Sequence, residues 1–546
     1  MRVTIPLTQI ILGEVDKFFN QENQEDYTAA KVETILLGSI NRALVYENIS
    51  SGLKGSAAHK QIKTLPPVVV ARCVMERDLP HLALLGESER EHHAHARDTA
   101  QLVTYISEGV DAGLYVPAAH LVRRAAKQYA GLASARDYDE VVFHIRESVR
   151  MITPTENADI VALKNGIFNL RTKEFSEFSP EVVLTTKCEV AWNENATTSP
   201  VIDGWTIDSW IREIADGDPE IEALLWQVVA ALFRPGHAFS KAVILMSESG
   251  SNGKGSFLEL LRNLVGASRV ATPSIYDFGG QFLPIQLIDC FAVLSDESDV
   301  GGYLGRAAML KLWLDHNWVT MDRKGRDTVN IKARGLSVFC LNELPGSKDK
   351  SESLYRRFLP VPFRRRYMGE ARNPLIKTDY LARREVLEYV AHKALMMPIF
   401  DSFSEPAASV ALLEDIRVEN DPVRQFAEKF LGEVVWDLLP WNFLYALYSA
   451  WMRREVPSGR AVSARQFTHK LTAYVDSHPE CGWTIPRGAD GTQKKVRTQQ
   501  HIMAPEPLIV EYDLSDWLKM KPQGGSANGI GIPHNIPATA RGLLRA

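Results

Sequence analysis

Several residue groups in this chain have types and spacing suited to chemistry on phosphates. The first is Gly250-Ser251-Asn252-Gly253-Lys254-Gly255-Ser256. Small residues let backbone N–H groups close around an anion, and one lysine neutralises its outer phosphates. The second is Asp296-Glu297, about forty residues on. A phosphate-transferring enzyme needs one acid for Mg²⁺ and another to orient and deprotonate the attacking water. Asp296 suits the metal role, with Ser256 as the hydroxyl partner, and Glu297 suits the water role. The third is Asn342, whose amide could hydrogen-bond a γ-phosphate or that water. A solvated acidic turn at Asp296 and a turn-forming asparagine before Pro345 are the plain alternatives.

Three further groups are basic. Arg323-Lys324-Gly325-Arg326 lies between two β-prone arms and reads as a hairpin with cations at its tip. Such a tip could hold nucleic-acid phosphates without regard to sequence, or simply discourage edge pairing. Arg356-Arg357 precedes the apolar run Phe358 to Phe363. An arginine there could reach a neighbouring subunit's transferring phosphoryl group, or pair with nearby acids. From Arg460 to Arg497 seven Lys/Arg face three Asp/Glu, a local +4. Lys494, Lys495 and Arg497 would form the tip of a DNA-contacting wing, or a solvated loop.

The elements that must position these groups are legible in outline. Ala242 to Met246 reads as a buried strand, and Phe257 to Arg262 as a helix. Ala292 to Leu294 and Leu336 to Leu341 read as further apolar strands, so residues 240–365 alternate strand and helix as an α/β nucleotide-binding core would. Residues 1–150 read as mainly helical, with amphipathic stretches at Thr99–Val110 and Ala118–Tyr129. Residues 151–200 read as a small β-containing connector, in which an Asn165-Gly166 turn joins two strands. Residues 201–400 would hold the ATPase core, and 420–515 a helical module suited to a winged helix. Residues 522–546, rich in Gly, Pro and Ala, read as a disordered tail. His92, His93 and His95 lie in a charged run that suits a solvated helix better than a metal site.

Composition narrows the class. With 546 residues, 45% of them hydrophobic and 24% charged, the chain has ample core for several domains. The formal net charge of −5 gives no overall attraction to nucleic acid, so any contact must be local. The five cysteines form no CxxC pair, which argues against a zinc ribbon and fits a reducing cytoplasm. No signal peptide and no membrane-length apolar run is expected.

Taken in order, Asn252-Gly253-Lys254-Gly255-Ser256-Phe257, Val293-Leu294-Ser295-Asp296-Glu297-Ser298-Asp299, the basic hairpin, Cys340 to Pro345 and Tyr355 to Phe363 resemble superfamily III helicases. The similarity is greatest to the phage, plasmid and poxvirus primase–helicase group, over roughly Ile160 to Val510. It implies an AAA+ ATPase forming a ring, usually of six, that moves along single-stranded DNA in the 3′→5′ direction. It implies ATP and Mg²⁺ as cofactors, forked DNA as substrate, and a separate primase, polymerase or initiator as partner. Lys254 would bind the β- and γ-phosphates, Asn342 would sense the γ-phosphate, Arg356 or Arg357 would act across the subunit boundary, and Lys324 would track DNA. The chain departs from the usual loop at Glu248, where a glycine is expected, and at Gly255, where a hydroxyl is expected. No primase-type acid pair is evident in residues 1–150. A ring ATPase that moves duplex DNA or loads partners, and a non-catalytic DNA-binding scaffold, are the competing readings.

Overall fold

Alternate residues of one strand face opposite cores, and that pattern organises the middle of the molecule. In β8 (Ala242–Met246), Val243 and Leu245 enter one buried cluster while Ala242, Ile244 and Met246 enter another. A strand buried on both faces belongs inside a parallel sheet covered by helices.

A computed structural model describes residues 5–20, 27–86, 97, 100–129, 134–247, 250–280, 283–288, 290–296, 303–304, 307–323, 326–344, 346–347, 352–369, 372–419, 421–455, 461–502, 504–518, 520–522, 531–533 and 536–546. The N-terminal region packs helices such as Leu7–Phe19 and Ala29–Ser50 around their own core. It also carries a four-stranded sheet: β1 (Leu82–Leu85), β2 (Gln101–Tyr105), β3 (Tyr115–Pro117) and β4 (Met151–Ile152), in the order β3-β2-β1-β4. The helix expected at Thr99–Val110 is therefore a strand over 101–105. Leu102 packs into the helical core and Val103 into a second cluster on the opposite face, a period of two that wins over the helical one. The expected helix at Ala118–Tyr129 is present as Ala119–Ala126.

The connector is a three-stranded meander of β5 (Ile160–Leu163), β6 (Gly166–Asn169) and β7 (Glu174–Ser176). It has no core of its own. Leu163, Phe168 and Leu170 share one cluster with Val243 and Leu261. Lys173 fastens the meander to the far side of the core through its ammonium, which donates to the carbonyls of Leu395 and Met397 at 2.7 Å.

After β8 come β9 (Val270–Ala271), β10 (Ala292–Ser295), β11 (Tyr303–Leu304), the hairpin of β12 (Trp318–Arg323) and β13 (Arg326–Lys332), β14 (Leu336–Leu341), β15 (Gly346–Ser347) and β16 (Phe358–Pro362). The central sheet has the order β16-β8-β14-β10-β9, and every neighbouring pair is parallel. Helices Pro219–Leu232, Lys254–Val265 and Arg384–Met396 cover one face. Helix Ala307–Leu314 covers the other. The chain is thus mixed α/β, with a largely helical N-terminal region and a parallel sheet at its centre.

The C-terminal module has its own core, built on helices Pro422–Phe430, Trp441–Glu455 and Ala464–Ser477. The expectation of a disordered tail does not hold for its last residues. Gly542–Arg545 is the middle strand of a three-stranded sheet between Leu438–Pro440 and Trp483–Thr484. Leu543 is fully buried there. A Cβ on Gly542 would stand 1.9 Å from the carbonyl oxygen of Leu439. Gly542→Val should therefore cost the module about 2–3 kcal/mol, seen as early unfolding of residues 422–545 in hydrogen exchange while the central core keeps its protection. Among the described residues no helix is long and apolar enough to cross a membrane.

Candidate functional site

Three parallel strands deliver the site. β8 runs toward the Gly250–Ser256 loop, β10 leads into Asp296 and β14 leads into Asn342. Because β14 lies between β8 and β10, these tips are adjacent at the carboxyl edge of the sheet, where α/β folds place ligands.

The loop is held by its own residues. Ser251 and Gly253 both take positive φ, 61° and 92°, which turns the chain into the helix that starts at Lys254. Asn252 is buried, and its amide reaches the Ser247 hydroxyl at one end of the loop and the Lys254 backbone N–H at the other. The Tyr367 N–H donates to the Ser251 carbonyl at 2.8 Å, tying the loop to the segment after β16. The first-turn N–H groups of the helix have no intrahelical acceptors, so they and the helix dipole make an anion seat.

The lysine and the asparagine converge. Lys254 Nζ donates to Asn342 Oδ1 at 3.0 Å, and the Leu341 carbonyl lies 3.4 Å away. Asp296 stands beside the helix start. A Cβ on Gly255 would lie 3.0 Å and 3.1 Å from the two Asp296 oxygens. A side chain at position 255 would crowd the Asp296 carboxylate, which would have to shift by a few tenths of an ångström. Ser256, partly exposed, is the first hydroxyl after the lysine. The Cys340 thiol, on β14, reports this cluster. Burial pushes its pKa up, Asp296 pushes it further, and Lys254 and Lys377 oppose them.

A cleft of about 330 Å³ opens beside the helix start. Ser251, Asn252, Gly253, Gly255 and Ser256 line one side, and Tyr367, Arg372 and Lys377 line another. The volume falls within the range of small-molecule sites. The residues after β16 were not foreseen. Their only signal was the basic run Arg364-Arg365-Arg366 after an apolar strand, and nothing in its spacing pointed to the loop. Burial, with Glu213 nearby, raises the Tyr367 hydroxyl to about 12.

The paired arginines differ. Arg356 is exposed, whereas Arg357 is 8% exposed and forked onto Asp315. Its Nε lies 3.3 Å from Asp315 Oδ1, its Nη2 meets Oδ2, and its Nη1 reaches the Ser353 carbonyl and hydroxyl. Arg357 thus makes the acid-paired contact that was the plain alternative for this segment. Burial pushes the Asp315 carboxyl up, but hydrogen bonds from Arg357 and Ser240 and the charges of both arginines hold it below its ordinary 3.8. A depressed carboxyl contributes stability above its unfolded value and loses it as pH falls through the folded one. Arg357→Ala should destabilise the protein by about 2–4 kcal/mol at neutral pH. The deficit should shrink in thermal melts as pH falls below 3.8 and through the lower folded value, where wild type also loses the pair.

The remaining expected residues are placed as follows. Glu297 and the hairpin tip Lys324-Gly325 lie outside the described residues, as do Glu248 and His92, His93 and His95. Arg323 and Arg326 pair across the hairpin as its last described positions. Lys494, Lys495 and Arg497 are all exposed beside the short pairing of Val496–Arg497 with Thr539–Ala540. Gly250 opens the loop.

Three family models match parts of the chain. Residues 90–214 match a "D5 N terminal like" family, residues 418–503 a "Poxvirus D5 protein-like" family, and residues 245–357 a family of unknown function, DUF5906. The flanks of the core are thus similar to D5-type proteins, in agreement with the resemblance carried by the motifs. The segment bearing the Gly250–Ser256 loop and Arg356-Arg357 matches a family to which no function is attached. No curated protein matches the chain. Solved structures similar to it include two apo structures of the NrS-1 C-terminal region. The first is 12% identical with a TM-score of 0.42, covering 88% of this chain and 100% of that one. The second is 12% identical with a TM-score of 0.41, covering 86% and 99%.

Proposed function

We propose that this chain is an ATP-dependent DNA helicase of a phage, plasmid or related mobile element, acting as a homo-oligomeric AAA+ ring, a hexamer by its family resemblance. One observation carries the reading: Lys254, Asp296 and Asn342 meet at the carboxyl tips of three adjacent parallel strands, around a helix start preceded by a left-handed glycine. Those groups fit a nucleoside triphosphate. The helix start and Lys254 bind its phosphates, Asn342 lies within reach of the lysine that would grip them, and the adjoining cleft accommodates the rest. Mg²⁺, held by Asp296 and Ser256, would supply charge neutralisation on the phosphate oxygens. Glu297, next in the chain after Asp296, would deprotonate the attacking water. Arg356 would complete the site of the neighbouring subunit.

The hairpin β12–β13 would grip single-stranded DNA, and the exposed Lys494, Lys495 and Arg497 would contact phosphates from a winged-helix module. ATP turnover measured with and without single-stranded DNA tests the proposal. Turnover that rises with DNA supports it, and turnover no faster than that of Lys254→Ala removes the enzyme. Lys324→Ala should keep basal turnover within about twofold while lowering DNA stimulation roughly tenfold. Full stimulation in that variant would take the hairpin out of the scheme.

A further inference from the structure

We infer that Lys377 is a second phosphate-site cation, one that neutralises Asp296 and so lets the loop accept a triphosphate without a divalent ion. The inference rests on the phosphate-site reading above and extends it to a residue that no motif marks. Lys377 Nζ lies 3.9 Å from Asp296 Oδ2, with both side chains about half exposed. The same nitrogen lies 3.3 Å from where a Cβ on residue 255 would stand, so it sits at the first turn of the phosphate-loop helix. Lys377 also lines the cleft that the loop opens into.

Its backbone is fixed. Leu375–Thr378 is a short helix preceded by an Asx turn, with the Leu375 N–H donating to Asn373 Oδ1 at 3.0 Å. Just beyond, the Tyr380 hydroxyl donates to Asp203 at 2.9 Å, and Arg383 pairs with Asp379 at 2.7 Å. The lysine is therefore presented by a braced segment.

The consequence is electrostatic. A bare Asp296 carboxylate beside the loop would repel a triphosphate, and a divalent ion would cancel that repulsion. Lys377 is placed to cancel part of it, as far as solvent screening of two half-exposed charges allows. Lys254, which donates to the Asn342 amide, brings a second positive charge to the same strand tips.

The test is equilibrium titration of the full chain with a fluorescent non-hydrolysable ATP analogue, in magnesium and in EDTA. Wild type should bind in both, more weakly in EDTA. Lys377→Gln should widen the ratio of the two dissociation constants by about tenfold, and Lys377→Arg should restore it. A ratio unchanged in Lys377→Gln, or a wild type that binds only with magnesium, overturns the inference. Lys254→Ala separates the two levels. If wild type binds, Lys254→Ala weakens binding and Lys377→Gln leaves the ratio alone, the phosphate site stands and only the role of Lys377 falls. If wild type binds in neither condition, both fall.

Discussion

Replacing Lys254 by alanine should lower ATP turnover at least about a hundredfold and leave the fold intact. Lys254 is the first residue of the phosphate-loop helix, and its ammonium projects to the tip of β14. The side chain is only partly buried, and alanine is a better helix former, so the stability change should stay within about 1 kcal/mol. Phosphate release and thermal melting on the same preparation separate the two effects. A variant that melts normally and hydrolyses ATP at the wild-type rate would remove the loop from the chemistry.

Arg356→Ala should lower kcat by about a thousandfold, the scale on which a transferred-charge arginine acts, with little change in KM. The prediction falls on Arg356 because Arg357 is already engaged. Its guanidinium is buried on Asp315 and Ser353 inside its own subunit, while Arg356 faces outward. The two alanine variants should therefore separate: one loses rate and keeps stability, the other loses stability first. Mixing Lys254→Ala with Arg356→Ala subunits supplies the sharper check. Each brings the group the other lacks, so roughly a quarter of the boundaries in a randomly mixed ring regain both. Activity should return in the mixture, which neither variant shows alone. An additive, inactive mixture would place both residues within one subunit's site.

The central strands were legible because each is short, apolar and ends in polar residues. Their order was not. Nothing in Ala292–Ser295 or Leu336–Leu341 states that β14 inserts between β8 and β10, yet that insertion brings Asn342 to Lys254. Gly255 departs from the usual loop, and it lies beside the Asp296 carboxylate, a contact across about forty residues that spacing alone cannot predict. Lys377 and Tyr367 were invisible for the same reason: they enter the site from a separate segment, as single residues without a repeat or motif.

Outside the core, composition misled in two places. Leu102 to Tyr105 carries both periods, and the choice was made by partners on two faces of β1–β4 that the local window does not contain. The Gly- and Pro-rich stretch at the chain's end hides four residues, Gly542 to Arg545, whose value lies in completing someone else's sheet. A strand that short has little propensity of its own and is specified by the two edges waiting for it.

Strand displacement on a forked DNA duplex, compared between wild type and Lys254→Ala in the presence of ATP, tests the central claim most directly. Wild type should separate the strands, and the alanine variant should leave them paired. Hydrolysis of ATP by wild type with the fork left intact would contradict it, and would mean that the energy released at the β8 loop is used for some other work.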